Sequence, residues 1–301
     1  MNFPIRTNMN KYRFQRSFQS ASTLSNQLFN LLEVVFPGYG ISDAAEHGRK
    51  LGASWESAST PFMLFQDDIA VTHVGVLEIP MQLMGKYEIV GGVHGVATHP
   101  DFRRQGYYRQ VMEEVLDYCY RRYNTLILTT SQPEIYEPFG FRYVTEHMFI
   151  AQCNTTGGHN GFRLLDTCNS NDVQLLNRLL EKREPVSHIL GVVKEKAVFC
   201  IIEGSNPLYY AKDLDLLAAM TVEDTKLKLF DLVGTKVCPL KAILERIPQP
   251  IQQVEIYFSP DRLDVEVQAF PHRLNGDDHL MVRGKFTPEG QKFMLPRSTR
   301  C

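Results

Sequence analysis

The stretch Val93–Met112, VHGVATHPDFRRQGYYRQVM, decides the fold. Its first residues, to Thr98, end an extended run that begins at Tyr87 and is rich in Val and Gly, which reads as a strand. His99-Pro100 breaks that run. Arg103-Arg104-Gln105-Gly106 then lead into Arg109 to Tyr123, where Val111, Met112, Val115, Leu116 and Cys119 recur at helical spacing. A strand that turns into a helix in this way aims the helix's leading N–H groups, and the positive end of its dipole, at whatever lies over the turn, which makes an anion site. Gly106 lets backbone approach a phosphate closely, and Arg103 and Arg104 add local charge. The turn implies a phosphorylated carrier, although two arginines and a glycine can also cap an ordinary surface helix.

Working outward, Thr125 to Thr130 is a short apolar strand, so the order is strand, basic glycine turn, amphipathic helix, strand, that of a βαβ-type unit in a mixed sheet. Upstream, Phe62 to Phe65 and Ile69 to Ile79 flank the turn residues Gln66-Asp67-Asp68 and predict a hairpin. Ser25 to Phe36 carries Leu28, Leu31, Leu32 and Val35 at helical spacing and stops at Pro37-Gly38. The first twenty or so residues read as a loose lead-in with room for one strand. Downstream, Asn154–Gly161 (NTTGGHNG) has three glycines and no sizeable apolar residue, and reads as a linker. With 301 residues and about 150 per domain, two domains are expected, residues 1–153 and 162–301. The second contains a helix around Asp172 to Lys182, a strand over Ala197 to Ile202, helical stretches near Leu214 and Leu240, and strands over Val254 to Phe258 and Leu263 to Ala269. Its class is α+β, with no catalytic motif evident.

Composition narrows the partners. With 32 basic against 34 acidic side chains there is no general field to attract nucleic acid or an anionic membrane, so an anionic ligand must be held locally. No apolar run approaches the roughly 18 residues of a membrane span, and no leader pattern opens the chain, so a cytoplasmic protein is expected. The six cysteines and nine histidines show no metal-ligand spacing, so no metal is expected.

The stretch around Arg103 resembles the acetyl-CoA-binding motif of the GNAT superfamily of N-acetyltransferases: a strand, then Arg/Gln-x-x-Gly-x-Gly/Ala, then a helix. Arg103 and Gly106 match, while Tyr108 takes the last small position. A second segment, Tyr136-Glu137-Pro138-Phe139-Gly140-Phe141, follows roughly thirty residues on and is similar to the family's Tyr-x-x-x-Gly-Phe ending, whose tyrosine lies near the thiol of CoA. The whole chain looks most like the enhanced-intracellular-survival (Eis-like) branch, in which a GNAT domain precedes a degenerate GNAT-like domain and a sterol-carrier-like domain. At this length only one extra domain fits. The implied fold is α+β, an N-terminal GNAT fold with a splayed mixed sheet and flanking helices, followed by a degenerate GNAT-like α+β domain.

The resemblance also implies roles. Val96, Ala97 and Thr98 would offer strand groups to the pantetheine arm of acetyl-CoA. Arg103, Arg104, Gln105, Gly106, Tyr107, Tyr108 and Arg109 would surround the pyrophosphate, and Ser131 and Gln132 would border the carrier. Tyr136 would protonate the leaving thiolate, whose reference pKa of about 8.5 calls for an acid nearby. An attacking amine, with pKa about 10.4, also needs a base. His94 and the terminal carboxylate of Cys301, which reaches the site in Eis-like proteins, compete for that role. Trp55, Phe62 and Phe65 could wall an acceptor cleft, and Asp67, Asp68 and Glu78 could attract a cation. Core packing and a hairpin turn explain the same residues. The expected function is acetyl transfer to a primary amine on a small molecule or a lysine side chain, with homo-oligomerisation left open. The alternative is a non-catalytic acyl-CoA-binding sensor or scaffold with a protein partner.

Overall fold

The computed structural model describes residues 12–18, 23–274, 276 and 278–300. The first half runs β1 (Tyr12–Gln15), α1 (Leu24–Val35), α2 (Ile41–Lys50), the single turn α3 (Trp55–Ala58), β2 (Ser59–Gln66), β3 (Ile69–Leu83), β4 (Lys86–Thr98), α4 (Tyr107–Tyr120), β5 (Thr125–Thr130), β6 (Arg142–Tyr143) and β7 (Glu146–Gln152). The second runs β8 (Arg163–Leu164), α5 (Ser170–Glu181), β9 (Leu190–Val192), α6 (Ala197–Glu203), β10 (Leu208–Ala211), β11 (Leu216–Glu223), β12 (Lys226–Gly234), α7 (Leu240–Leu244), β13 (Gln253–Ile256), β14 (Gln268–His272) and β15 (His279–Gly284). The class is α+β, two mixed sheets with flanking helices.

Local chemistry sets the elements around the turn. In α1, Leu24, Leu28, Phe29, Leu31 and Leu32 are buried on one stripe, and the chain leaves the helix through Pro37 and Gly38, the latter at φ +83°. Asp67 at φ +53° makes the tight β2–β3 connection. On α4, Val111, Met112, Val115 and Cys119 face the sheet.

The first sheet has strand order β1-β2-β3-β4-β5-β15-β6, with β9 pairing β3 off that path, and the second has β14-β7-β13-β12-β11-β10-β8. In each, three antiparallel strands lead through a helix to a parallel one: β2-β3-β4, α4, β5, and β10-β11-β12, α7, β13. Each sheet is completed by a strand from the other half. β15 pairs antiparallel with both β5 and β6, and β7 with both β13 and β14. The second unit therefore repeats the first, and the two exchange strands: the first sheet takes β15 and the short β9 and gives β7.

That exchange corrects the expected boundary. Residues 154–161 have no regular structure, but the sheets do not part there: β7, before the segment, belongs to the second sheet, and β15, far beyond it, to the first. The cores mix likewise, with Leu77, Ile79 and Ile127 packed with Leu190, Val198, Phe293 and Leu295. Ala197 to Ile202, expected as a strand, is part of α6. A short apolar run is ambiguous in period, and the Glu195 carboxylate settles it by accepting from the amides of Val198 (2.8 Å) and Phe199 (3.1 Å) at the helix start. The stretch near Leu214 is not helical but the turn between β10 and β11, with Asp215 at φ +48°. Of Leu263 to Ala269, only Gln268 and Ala269 are strand.

A fragment of residues 1–153 lacks β15 and leaves the β5 and β6 edges unpaired. It should show no cooperative urea transition by circular dichroism; a sharp two-state unfolding of that fragment would refute the interlocked reading.

Candidate active site

β4 and β5 pair over two residues only, in the middle of β4 and near the start of β5. Gly91 and Gly92 pair with Leu126 and Ile127, and beyond that no register joins the strands, although β4 continues to Thr98 and β5 to Thr130. Gly91 is glycine because the apex is tight: a Cβ there would lie 2.6 Å from Leu126 and 2.8 Å from Tyr123. On its other side β4 stays paired with β3, but between the His73–Ala97 and Gly75–His94 pairs β4 holds one residue too many. Gly95, at φ +56°, takes the left-handed conformation of this bulge. The bulge turns β4 away from β5 and opens a wedge lined by strand backbone.

The bulge also resets which way side chains face. Val93 and Val96 pack with the α4 cluster, whereas Ala97 packs with α1 and His94 lines a cavity against α1 and α2. Without the extra residue, His94 and Val96 would share a face. Thr98 bonds Thr72 through their hydroxyls (2.8 Å), and the Ala97 carbonyl accepts from the Thr72 hydroxyl (2.7 Å), so Ala97 is committed to β3.

The basic turn closes the wide end of the wedge. Pro100–Phe102 form one 3₁₀ turn, Arg104 has φ +61° and Gly106, at φ +86°, precedes α4 with open space around its α-carbon. Gly106 has no side chain with which to cap the start of α4, and a helix start of that kind suits an anion. Arg103, Arg104, Gln105, Gly106 and Arg109 are exposed, and Arg103 Nε reaches back 3.2 Å to the Thr98 carbonyl, tying the turn to the strand end. Ser131 and Gln132 are exposed just past β5.

Tyr136 is buried beside this turn. Its ring meets Tyr108 edge-on at 6.3 Å and Phe141 at 6.1 Å, and the Tyr108 hydroxyl donates to the Ile135 carbonyl at 3.1 Å. Burial, and then the neighbouring Tyr136, push the Tyr108 phenol above its usual range, so it stays neutral. Val96, Tyr107, Tyr108 and Tyr136 thus belong to one cluster, which brings the strand, turn and tyrosine expectations together.

His94 lies on the other face. It is buried, its Nε2 is 2.8 Å from Ser59 Oγ, and its ring stands edge-on to Trp55 at 4.4 Å and to His73 at 5.9 Å. Gly75 makes room for it, since a Cβ there would sit 2.2 Å from Nε2. Burial, then the adjacent His73, hold the His94 pKa well below the ordinary 6.5. His73 is likewise pulled down to about 4 by burial, against the opposing bond from its Nδ1 to the Gly95 carbonyl at 2.7 Å. Phe62 and Phe65 are core residues, and Glu78 accepts from the Tyr123 hydroxyl at 2.9 Å. His73 is the residue that sequence reasoning missed, because only the β3–β4 register brings it to the bulge.

Residues 22–144 match the family profile described as an Acetyltransferase (GNAT) domain. They form a GNAT acetyltransferase domain. No curated protein sequence matches the chain. Among solved structures, a conserved protein of Enterococcus faecalis V583 is similar over 93% of this chain and 73% of its own, with 13% identity and TM-score 0.59. A GCN5-related N-acetyltransferase from Kribbella flavida is similar over 92% and 72%, at 17% and 0.55, and Eis1 from Mycobacterium abscessus over 91% and 73%, at 12% and 0.57. At such identities the likeness is one of fold, and it extends well beyond the GNAT domain into the second unit.

In that second unit the wedge equivalent to the GNAT domain's is bridged by the chain itself. β12 and β13 pair only as far as Leu229 and Ile256. Beyond them, the Met294 amide donates to Ser259 Oγ at 3.2 Å, Ser298 Oγ bonds the Asp231 carboxylate, and the Arg297 guanidinium lies 3.8 Å from the Phe230 ring centre. Between β12 and α7 stand Thr235 to Pro239, without arginine or glycine. Cys301 lies outside the described residues, while Arg300 just before it is paired with Glu146 at 2.7 Å.

The two buried histidines give the GNAT domain an acid sensitivity. Between pH 6.5 and about 4 the unfolded chain binds a proton at His73 that the folded chain refuses, so stability is full above pH 6.5 and falls as pH drops. For His73 this amounts to about 3 kcal/mol, with no further loss from it below about 4. Urea midpoints of His73→Gln should fall less steeply with acidification across this window than those of the natural chain; parallel slopes would show that His73 does not titrate this way.

Proposed function

We propose that the protein transfers an acetyl group from acetyl-CoA to a primary amine by direct attack of the amine on the thioester. The observation that carries this is the wedge: β4 leaves β5 after two residues, and the basic turn with uncapped helix amides lies at its open end. Strand backbone suits an amide-bearing arm, which can complete a sheet edge as a strand would, and the turn suits a pyrophosphate. In this reading Val96 and Thr98 take the first task, and Arg103, Arg104, Gly106 and the start of α4 the second. Acetyl-CoA, when bound, supplies the activated acyl group.

As the amine nitrogen forms its bond to the acyl carbon, the carbon–sulfur bond breaks and the sulfur takes up a proton. Tyr136, a phenol on the wedge side beside Tyr108, is the proposed donor. The amine must lose a proton as well. His94 is the poorer of the two bases considered, because it faces away from the Tyr136 cluster and burial holds it neutral with low proton affinity. The other candidate, at Cys301, lies outside the described residues.

Calorimetric titration with acetyl-CoA and with CoA tests the reading first. Micromolar binding of both is expected, and no detectable heat would overturn it. Arg103→Glu with Arg104→Glu should weaken acetyl-CoA at least tenfold, by reversing charge at the turn; unchanged affinity would remove the pyrophosphate assignment. Tyr136→Phe should lower kcat by about 10²-fold, within the range for a lost general acid, with little change in acetyl-CoA affinity. Full activity in that variant would dismiss the tyrosine as proton donor.

A further inference from the structure

Behind the bulge, on the face opposite Tyr136, lies a cavity of about 200 Å³. Phe29, Leu32 and Phe36 of α1 and its exit, Ile41 and Ala45 of α2, Trp55, His73, His94 and Gly95 enclose it, and Ile201 of α6 closes it from the second unit. An engineered apolar cavity of about 150 Å³ holds benzene, so this one has room for a ring or a short alkyl chain. Its lining residues at the α1–α2 connection, Phe36 and Ile41, are only half-buried, and Tyr39 between them is exposed. Among the described residues no carboxylate lines it, and Arg49, 6.0 Å from the Phe29 ring centre, is held by Glu46 and by Glu56 (3.4 Å).

The cavity is not wholly apolar. Among the described residues, Trp55 Nε1 and His73 Nε2 are buried polar atoms without a partner, and both residues line it. Since His73 Nδ1 lies 2.7 Å from the Gly95 carbonyl, which can only accept, the proton sits on Nδ1 and Nε2 is a bare acceptor. Trp55 Nε1–H is only a donor. Leaving such bonds unmade is costly, and a group able both to donate and to accept suits either atom. A hydroxyl or a secondary amide does so.

We infer that this cavity is the acceptor-specificity pocket, and that it takes an uncharged, ring-sized or short-alkyl tail carrying one hydroxyl or amide, with the acceptor's amine left at the bulge. The inference rests on the wedge being the acyl-donor site, because the pocket floor, His94 and Gly95, immediately precedes Val96 in β4. It separates the acceptor's two ends. The reacting amine meets strand backbone, while discrimination falls to neutral groups and to Ile201, a residue of the other unit.

Trp55 is the only tryptophan in the chain, so its fluorescence reports on the pocket whether or not the enzyme turns over. Titration with tyramine, phenethylamine, hexylamine and spermidine, excited at the red edge of tryptophan absorption, should give a saturable response to the first three. Tyramine should be tightest, and spermidine silent. Ile201→Phe, at a half-buried position, should weaken the tyramine response at least tenfold and leave acetyl-CoA affinity by calorimetry unchanged. His73→Phe should erase the preference for tyramine over phenethylamine. A response to spermidine alone, or amine affinities untouched by Ile201→Phe, would overturn the pocket. A Trp55 response that tracks the acyl length of added acyl-CoAs rather than the amine would overturn its assignment to the acceptor. Tyramine binding in a protein that shows no heat with acetyl-CoA would uphold the pocket and sink the donor site instead.

Discussion

An open seam inside a β-sheet is the constraint on which the rest of this structure depends. Two strands that part after two residues leave backbone donors and acceptors facing a gap, and a sheet ordinarily closes such a gap or never forms it. Here each side is held from behind. β4 is anchored along nearly its whole length by β3, and β5 is anchored over all six residues by β15. The bulge at Gly95 supplies the turn of β4 that keeps the two apart. A seam held open by its neighbours, rather than by its own contacts, is prepared for a ligand with amide groups.

The exchange of strands follows from the same need. β5 could not diverge from β4 and remain in the sheet without a partner on its far edge, and that partner comes from the last strand of the chain. The second unit borrows β7 in return, but it has filled its own seam with the segment that follows β15. That segment is fastened by buried charge. Asp231, fully enclosed, pairs with Arg183 at 2.5 Å as well as accepting from Ser298, and Glu203 pairs with Arg297 at 2.7 Å. Buried ion pairs add little net stability over apolar packing, but removing one partner leaves a costly lone charge, so they specify one seating of the tail and disfavour others. Of two equivalent openings, one is plugged by a defined arrangement of the chain and one is not.

The parts of the site that were legible in the sequence are those whose signals are local. Arg103 to Gly106 are contiguous, α4 carries its own stripe, and Tyr136 follows its strand by a few residues, so their placement needs no knowledge of register. The α1 helix and the β2–β3 hairpin were legible for the same reason. The borrowed strand was not, because β15 reads as an ordinary strand at the end of a second unit and only its pairing with Thr125–Thr130 reveals where it belongs. Ala197 to Ile202 misleads because six consecutive apolar residues carry no period, and the deciding signal was a carboxylate two residues upstream. His73 was invisible as a site residue for a further reason: nothing in Thr72-His73-Val74 differs from any other stretch of a buried strand.

The bulge ties these observations to specificity. One extra residue in β4 allows Val96 to join the Tyr136 cluster while His94, two residues earlier, faces the α1 and α2 helices. An unbulged strand would give both residues the same face. Gly95 is therefore more than a flexible joint. Its positive φ opens the wedge, its carbonyl fixes the tautomer of His73, and its position in the pocket floor sets the distance between the neutral cavity and the strand end. Any side chain there would have to adopt a strained left-handed conformation with its Cβ 3.2 Å from the His73 ring. The Tyr136 cluster and the cavity against α1 and α2 are thus separated by a single backbone conformation, which makes them two surfaces of one strand.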